Sequence, residues 1–300
     1  MKTPGEPESP AILVTGVSTG IGNSITRQLI KAGYHVFGSV RKRQDAARLS
    51  KEFGEAYTPL IFDVTDEKAV ARAAALVKKA LGTQKLSGLV NNAGVAVPGP
   101  LLELPVSEFR RQIEVNLVSV LAVTQAFFPL LRPRSPAGGR PARIINISSV
   151  AGQFALPFLG PYAASKHGVE GLSDSLRREC MPTGVDVVVV DPGSVATPIW
   201  DKAGELDLSI YSRSPSLLPM TRMRDGMVAA GKQGLPPDRI GELVVRILEV
   251  RRPRARYVIG SGKVMVWMSR HFLGVRFVDR IIAKNLGLNA RPGGEAGAGR

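Results

Sequence analysis

Residues 11–22 read AILVTGVSTGIG. Ala11-Ile12-Leu13-Val14 is a short apolar run with the length of a buried strand, and glycines at 16, 20 and 22 follow it at once. Residues 23–32 then carry a helical pattern that Gly33 closes. Glycines between a strand and a helix let the backbone turn tightly. They also let a phosphate approach the helix N-terminus, where unpaired N–H groups and the helix dipole favour an anion. The spacing differs from GxGxxG, because three residues separate the first two glycines. A plain glycine-rich turn is the competing reading, and the rest of the chain decides between them.

Outward from this unit the chain alternates strands and helices. His35–Val40 is a second strand, and it runs into Val40-Arg41-Lys42-Arg43. A dinucleotide fold that prefers NAD carries a carboxylate there for the ribose hydroxyls; here stand cations, and a guanidinium can pair bidentately with a 2′-phosphate. NADP is therefore expected over NAD, with Arg41 as its contact. Thr58–Phe62 is a third strand ending at Asp63-Val64, and Asp66 is placed to cap a helix reaching Leu81. Asp63 could accept a hydrogen bond from an adenine amino group or simply make a turn. Gly88–Val90 leads into Asn91-Asn92-Ala93-Gly94, small enough to pack against a cofactor. A helix over 107–130 follows, with Asn116 among apolar neighbours in a buried polar role. Residues 132–142 are a Pro/Gly-rich surface loop. Strands over 143–147, 186–190 and 256–259, with a helix over 237–250, complete the alternation. The expected fold class is α/β: a single doubly wound parallel-sheet (Rossmann-type) domain over residues 11–262, strand order 3-2-1-4-5-6-7.

The chemistry gathers in residues 149–166, SVAGQFALPFLGPYAASK. Tyr162 and Lys166 are four residues apart, so a helix stacks them on one face. A phenol of pKa about 10 is a poor acid–base catalyst near neutrality, and a neighbouring ammonium favours its ionised form. Ser149 stands just past the apolar run 143–147, where its hydroxyl can bond the same substrate oxygen as Tyr162. A YxxxK spacing by itself also arises by chance.

These residues resemble the short-chain dehydrogenase/reductase family. The likeness is carried by Thr15-Gly16…Gly20-Ile21-Gly22, Asn91-Asn92-Ala93-Gly94, Asn116, Ser149, Tyr162…Lys166 and Asp191-Pro192-Gly193…Thr197, in the family's order. The resemblance implies Tyr162 as catalytic acid or base and Lys166 as the residue that lowers its pKa and bonds the nicotinamide ribose. Ser149 would polarise the substrate oxygen and Asn116 support a proton relay. Thr197 would bond the nicotinamide carboxamide. Gly16, Ser18, Thr19, Gly20, Ile21, Gly22, Asp63, Val64, Asn92, Ala93, Gly94, Pro192, Gly193 and Val195 would line the cofactor. A metal is not implied. The similarity leans toward steroid- and retinol-dehydrogenase-like members, which implies reversible hydride transfer between NADP(H) and a lipophilic secondary alcohol or ketone. A reductase of small or fatty-acyl carbonyls is an alternative, and so is a redox sensor that binds NADP(H) without turnover. Family members often pair, so a homodimer or homotetramer is expected.

Composition sets bounds around this reading. The chain has 300 residues, 44% hydrophobic and 22% charged, ample for a large core. One cysteine excludes an internal disulfide framework and fits a reducing compartment. The polar start, residues 1–10, is expected to be flexible and has no secretory h-region. No run of about 18 apolar residues is evident, so a cytoplasmic enzyme is expected. Most of the +15 net charge lies late, with twelve Lys/Arg against three Asp/Glu from Arg246 onward. Nucleic acid is an unlikely partner, because that charge comes with no recognition motif.

Two segments remain. Residues 193–236 are expected to form a long irregular lid over the substrate, its methionines and Trp200 suited to a large lipophilic ligand. The competing reading is a helix near 217–230 that packs on the core. Residues 263–289, an amphipathic basic extension, suit either peripheral membrane contact through 263–286 or a helix folded back over the cleft. Residues 290–300 are expected to be a disordered tail.

Overall fold

Central strands that are largely apolar on both faces, such as Ala11–Val14, suit a parallel sheet covered by helices on both sides. A computed structural model describes residues 9–133, 140–205, 207–261 and 274–288 and shows that arrangement. The strands are β1 (Ala11–Val14), β2 (His35–Val40), β3 (Tyr57–Ile61), β4 (Gly88–Asn91), β5 (Arg143–Ile147), β6 (Asp186–Pro192) and β7 (Arg256–Ile259). They pair in the order β3-β2-β1-β4-β5-β6-β7, the expected order, with every pair parallel. Ile12 lies opposite Val36 on one side and Gly88 on the other. The chain reverses its direction of travel across the sheet between β3 and β4, which puts the switch point at the C-terminal ends of β1 and β4. A crevice at that point is where folds of this kind bind ligands.

One layer holds α1 (Gly20–Lys31), α2 (Arg43–Phe53) and α9 (Asp238–Glu249). Ile25, Leu29, Leu49, Ile240, Val244 and Ile247 are buried there against β1, β2, β5 and β6. Gly241 brings α1 and α9 together, since a Cβ there would lie 2.8 Å from the Ser24 carbonyl oxygen. The Ser24 hydroxyl also donates to Asp238 Oδ1 at 2.6 Å. The buried Arg143 side chain donates to the carbonyls of Ile247 and Val250, satisfying backbone acceptors that the end of α9 leaves without partners. The opposite layer holds α3 (Glu67–Leu81), α4 (Val106–Ile113), α5 (Ser119–Phe127) and α6 (Gly160–Glu179). Asp66 caps α3 by accepting from the Ala69 N–H at 2.9 Å, as its position in the sequence implied.

Helices α4 and α5 are joined by a π-turn, Glu114–Val118, with Asn116 at its middle. Together with the following turn they make a run, Val106–Leu130, of mean hydropathy 1.6 over its best window. By length and composition it passes for a membrane span, which the sequence reading overlooked. It nonetheless buries Gln112 and Asn116 in the fold.

The expected irregular lid is mostly helical, and this is a correction. It contains α7 (Ile199–Gly204), a 3₁₀ turn (Ser209–Tyr211) and α8 (Leu217–Lys232). Glycines and a proline disguised α8, yet Pro219 falls in its first turn, where a missing N–H costs nothing. Gly231 is there for packing: a Cβ would lie 2.2 Å from the Trp200 ring. The Trp200 ring nitrogen donates to the Val195 carbonyl at 2.6 Å, so this tryptophan fastens the segment to its own base. Met220 and Met223 are buried with Phe158, Leu159, Leu208 and Tyr211 in a small core of their own. Trp200 and these two methionines thus hold the segment together by packing within it.

Past β7, α10 (Val275–Leu286) rests on α8 through Leu286, and the Arg222 guanidinium approaches the Leu286 carbonyl at 3.4 Å. Its outer side exposes Val275, Phe277 and Ile281. Trp267 and Phe272, the N-terminal residues 1–8 and the tail from 289 lie outside the described residues.

Candidate active site

Everything assembled here sits at the C-terminal ends of β1, β2, β4, β5 and β6. The turn after β1 forms a glycine cradle. Gly16 and Gly20 have φ of +70° and +60°, values that side chains with a Cβ rarely adopt. Gly22 packs so closely that a Cβ would lie 2.2 Å from the Gly16 oxygen and 2.4 Å from Asn92 Nδ2. The Asn92 amide donates to the carbonyls of Thr15 (2.9 Å) and Gly16 (3.0 Å). The Thr15 hydroxyl accepts from the N–H groups of Asn92 and Ala93. The loops after β1 and β4 are therefore laced together, and Asn92 and Ala93 brace the cradle. A Cβ on Gly20 would touch Thr197 at 3.4 Å, which brings the loop after β6 to the same spot.

These features fit a dinucleotide. A shape that only glycine permits opens a helix whose first-turn N–H groups suit a phosphate. Arg41 is exposed just past β2. Asp63 is exposed, with Oδ1 engaged by the Thr65 N–H and hydroxyl, so it forms the turn that was its plainer reading. Val64 is buried beneath it. Gly193 lies against the end of β7, where a Cβ would be 2.0 Å from the Ser261 oxygen.

Ser149 follows β5, its side chain accepting from the Ala151 N–H at 3.1 Å and lying close enough to the Tyr162 phenol, in the first turn of α6, to influence its ionisation. Burial pushes the Tyr162 pKa up, and the nearby Ser149 hydroxyl pulls it back down. Lys166 is buried one turn on, its Nζ 5.8 Å from the centre of the Tyr162 ring. That ammonium donates to the Ile147 carbonyl at 2.8 Å. Burial lowers the Lys166 pKa to about 8, against the pull of Asp191 and Glu170. Asn116 is buried, accepts from the Val95 N–H at 2.8 Å, and donates to the Val95 carbonyl (2.9 Å) and the Ser165 hydroxyl (3.1 Å). It thus pins the loop after β4 to α6 from a π-turn, a feature frequent at functional sites. Ser149, Tyr162 and Lys166 converge, and Asn116 supports them from behind.

Several contributors escaped the sequence reading. Arg48 on α2 donates to the Ser18 carbonyl at 2.6 Å and steadies the cradle from outside. Gln112 bonds Val95 and Val97 much as Asn116 bonds Val95, and its position one turn before Asn116 was the available signal. Phe158 has φ +64°, unusual for a residue with a Cβ, and its carbonyl accepts from the Gly99 N–H just ahead of α6. Nothing local marks Phe158 or Arg48.

A phenol, a hydroxyl and a buried amine beside a glycine cradle define the site of a nucleotide-dependent oxidoreductase. The chain belongs to the short-chain dehydrogenase family, whose model, described as "short chain dehydrogenase", matches residues 10–207. It is 38% identical to the NADPH-dependent 3-dehydrocapnine reductase of Ornithobacterium rhinotracheale, over 91% of this chain and 96% of that protein. It is 31% identical to the 17-beta-hydroxysteroid dehydrogenase type 6 of Bos taurus (91% and 88%) and to the retinol dehydrogenase 7 of Rattus norvegicus (90% and 87%). A short-chain dehydrogenase from Streptomyces avermitilis, solved by crystallography, shares the fold with a TM-score of 0.72 at 23% identity, covering 94% of this chain and 98% of that one.

Proposed function

We propose that this enzyme interconverts a lipophilic secondary alcohol and its ketone with NADP(H). The observation that carries the reading is the Tyr162 phenol with the Ser149 hydroxyl nearby and buried Lys166 behind it, its Nζ 5.8 Å from the ring centre, next to the glycine cradle. Tyr162 would hand a proton to the ketone oxygen and take it back from the alcohol. Ser149 would hold that oxygen and stabilise the charge developing on it. Lys166 and Asn116 would support Tyr162 from the protein side. The cradle of Gly16, Ser18, Thr19, Gly20, Ile21 and Gly22 would hold the dinucleotide phosphates, with Asn92, Ala93, Gly94, Pro192, Gly193, Val195 and Thr197 along its length. When bound, NADP(H) supplies or accepts the hydride.

NADP over NAD is favoured by exposed Arg41 and by the lack of a carboxylate at the end of β2. The name of the NADPH-dependent relative agrees. A lipophilic substrate is favoured by the apolar lid core beside the entry to α6 and by relatives named for steroids and retinol. The outward face of α10, apolar among Arg276, Arg280 and Lys284, favours peripheral membrane contact, where such substrates reside. Partly exposed Val118 and Leu121 on the π-turn and α5 favour pairing of two copies. Steady-state turnover with NADPH and NADH against long-chain, steroid-like and small ketones tests the proposal. Lipophilic ketones should be reduced fastest, with NADPH. No turnover of any ketone, with NADPH bound, would favour the sensor alternative instead.

A further inference from the structure

All seven strands run parallel, so their N-terminal ends lie together on the edge of the sheet opposite the glycine cradle and Tyr162. A cavity of about 270 Å³ opens on that edge. Pro10, Tyr34 and Ser87, the residues just ahead of β1, β2 and β4, line it. Arg132, Arg140 and Pro141 from the connection into β5 complete the lining, with Leu248 near the end of α9. The space is far larger than the roughly 30 Å³ of one water and falls just short of the about 300–1,000 Å³ of pockets for drug-sized molecules. It suits a small ligand.

Arg132 is held in place by its backbone. Its N–H donates to the Leu86 carbonyl at 3.0 Å, and its carbonyl accepts from the Ala142 N–H at 2.8 Å. Nη2 donates to the Ser87 hydroxyl at 3.1 Å, whereas Nε is buried and has no acceptor. A buried N–H of a cation is costly to leave unpaired, and such groups ordinarily have a partner. Arg140 is exposed at the rim. Among the described residues, neither arginine forms an ion pair. Asp186 stands 3.5 Å from Arg143 Nε instead. Glu249, next to Leu248, is exposed. Burial, followed by Glu249, pushes the Tyr34 pKa up, so its phenol remains a neutral donor. Ser87 accepts from Arg132 and keeps its own hydrogen to donate.

The cavity therefore presents two cations and two hydroxyls. Donors supplied from several strand ends match the oxygens of a tetrahedral phosphoryl group, and a guanidinium fork pairs with two of those oxygens at once. Pro10, Pro141, Leu248 and the Tyr34 ring add an apolar wall for a small organic group. We propose that this cavity binds the phosphoryl group of inorganic phosphate or of a small phosphate monoester, held by Arg132 and Arg140 with Tyr34 and Ser87. The proposal does not rest on the alcohol–ketone reading, since no residue of that site takes part.

The test is isothermal titration calorimetry of the full chain with inorganic phosphate and, separately, with phenyl phosphate. Sodium chloride holds the ionic strength constant, and each titration is repeated with saturating NADP⁺. One saturable site per chain is expected for at least one of the two compounds, unaffected by NADP⁺. Arg140→Gln and Arg132→Gln should each weaken it by about tenfold or more, the loss expected for charge-assisted hydrogen bonds. Arg132→Lys, which keeps the charge without the fork, should recover only part of that loss. Lys51→Gln, the same change of charge on α2, should leave binding as it is. Arg140 is exposed, so its variant should fold even where Arg132→Gln does not. Absence of saturable binding by either compound overturns the proposal. So does binding that NADP⁺ abolishes, which puts the phosphate in the glycine cradle, and so does binding that Arg140→Gln leaves intact. Acetate binding as tightly as phosphate would show a general attraction to positive charge and would overturn the phosphoryl assignment.

Discussion

Gly22→Ala is the sharpest test of the glycine cradle. The new methyl would lie 2.2 Å from the Gly16 oxygen and 2.4 Å from Asn92 Nδ2, two groups that hydrogen-bond each other at 3.0 Å. Neither is the tip of a flexible chain, since one is backbone and the other is fixed by a second bond to the Thr15 carbonyl. Overpacking of this sort costs about 1–3 kcal/mol. Losing the Asn92–Gly16 bond adds roughly 1 kcal/mol. Alanine's better helix propensity in α1 returns at most about 1 kcal/mol, so the clash prevails. Relief requires moving either the Gly16 carbonyl or the Asn92 amide, and both shape the cradle. A net cost of about 1–3 kcal/mol falling on the cradle weakens NADPH by roughly 5- to 150-fold. Isothermal titration calorimetry with NADPH measures it. Gly33→Ala is the control: φ is +86° there and nothing lies within 4 Å of a Cβ. It should cost about 1–2 kcal/mol of stability and leave NADPH affinity unchanged. A folded Gly22→Ala protein with wild-type affinity would refute the close-packed cradle.

Tyr162→Phe should lower kcat by about 10²-fold or more with little change in NADPH affinity, as expected when a general acid is removed; near-normal turnover would exclude Tyr162 from the chemistry. Arg41→Ala should weaken NADPH by about 1.5–3 kcal/mol and leave NADH alone, and equal losses in a binding titration would make Arg41 structural. The Asp191 carboxyl has a folded pKa of about 8, above its unfolded value of about 3.9. Its contribution to stability is therefore complete below pH 4 and lost as pH rises through 8. Urea unfolding should accordingly show Asp191→Asn gaining on the wild type between pH 5 and pH 8.5, and a constant gap would contradict the raised carboxyl. Phe277→Glu with Ile281→Glu should abolish co-sedimentation with anionic vesicles at low salt while ketone reduction in solution persists. The wild type should release those vesicles as salt rises, since each surface cation contributes about 1 kcal/mol that screening removes. A wild type that ignores anionic vesicles would end the membrane reading.

How far the sequence could be read depended on how local each cause was. The sheet was legible because strands buried on both faces must be apolar throughout, and because β1 runs straight into its glycine turn. Asp66 as a cap was legible for the same reason, since it acts within a few residues of itself. The irregular reading of the segment after β6 gave way to its competing helix, partly because Gly231 has a long-range cause, a tryptophan thirty-one residues earlier. Arg48 was invisible, since its contact with Ser18 depends on α2 crossing the mouth of the β1 turn. The same distinction separates the two meanings of Asp191. As the first residue of Asp-Pro-Gly it reads as part of a turn beside a cofactor. Only when α6 and β7 lie against β6 does the Arg256 guanidinium reach both it and Glu170. Motif spacing reveals groups that act along the chain; groups that meet across the sheet emerge from packing alone.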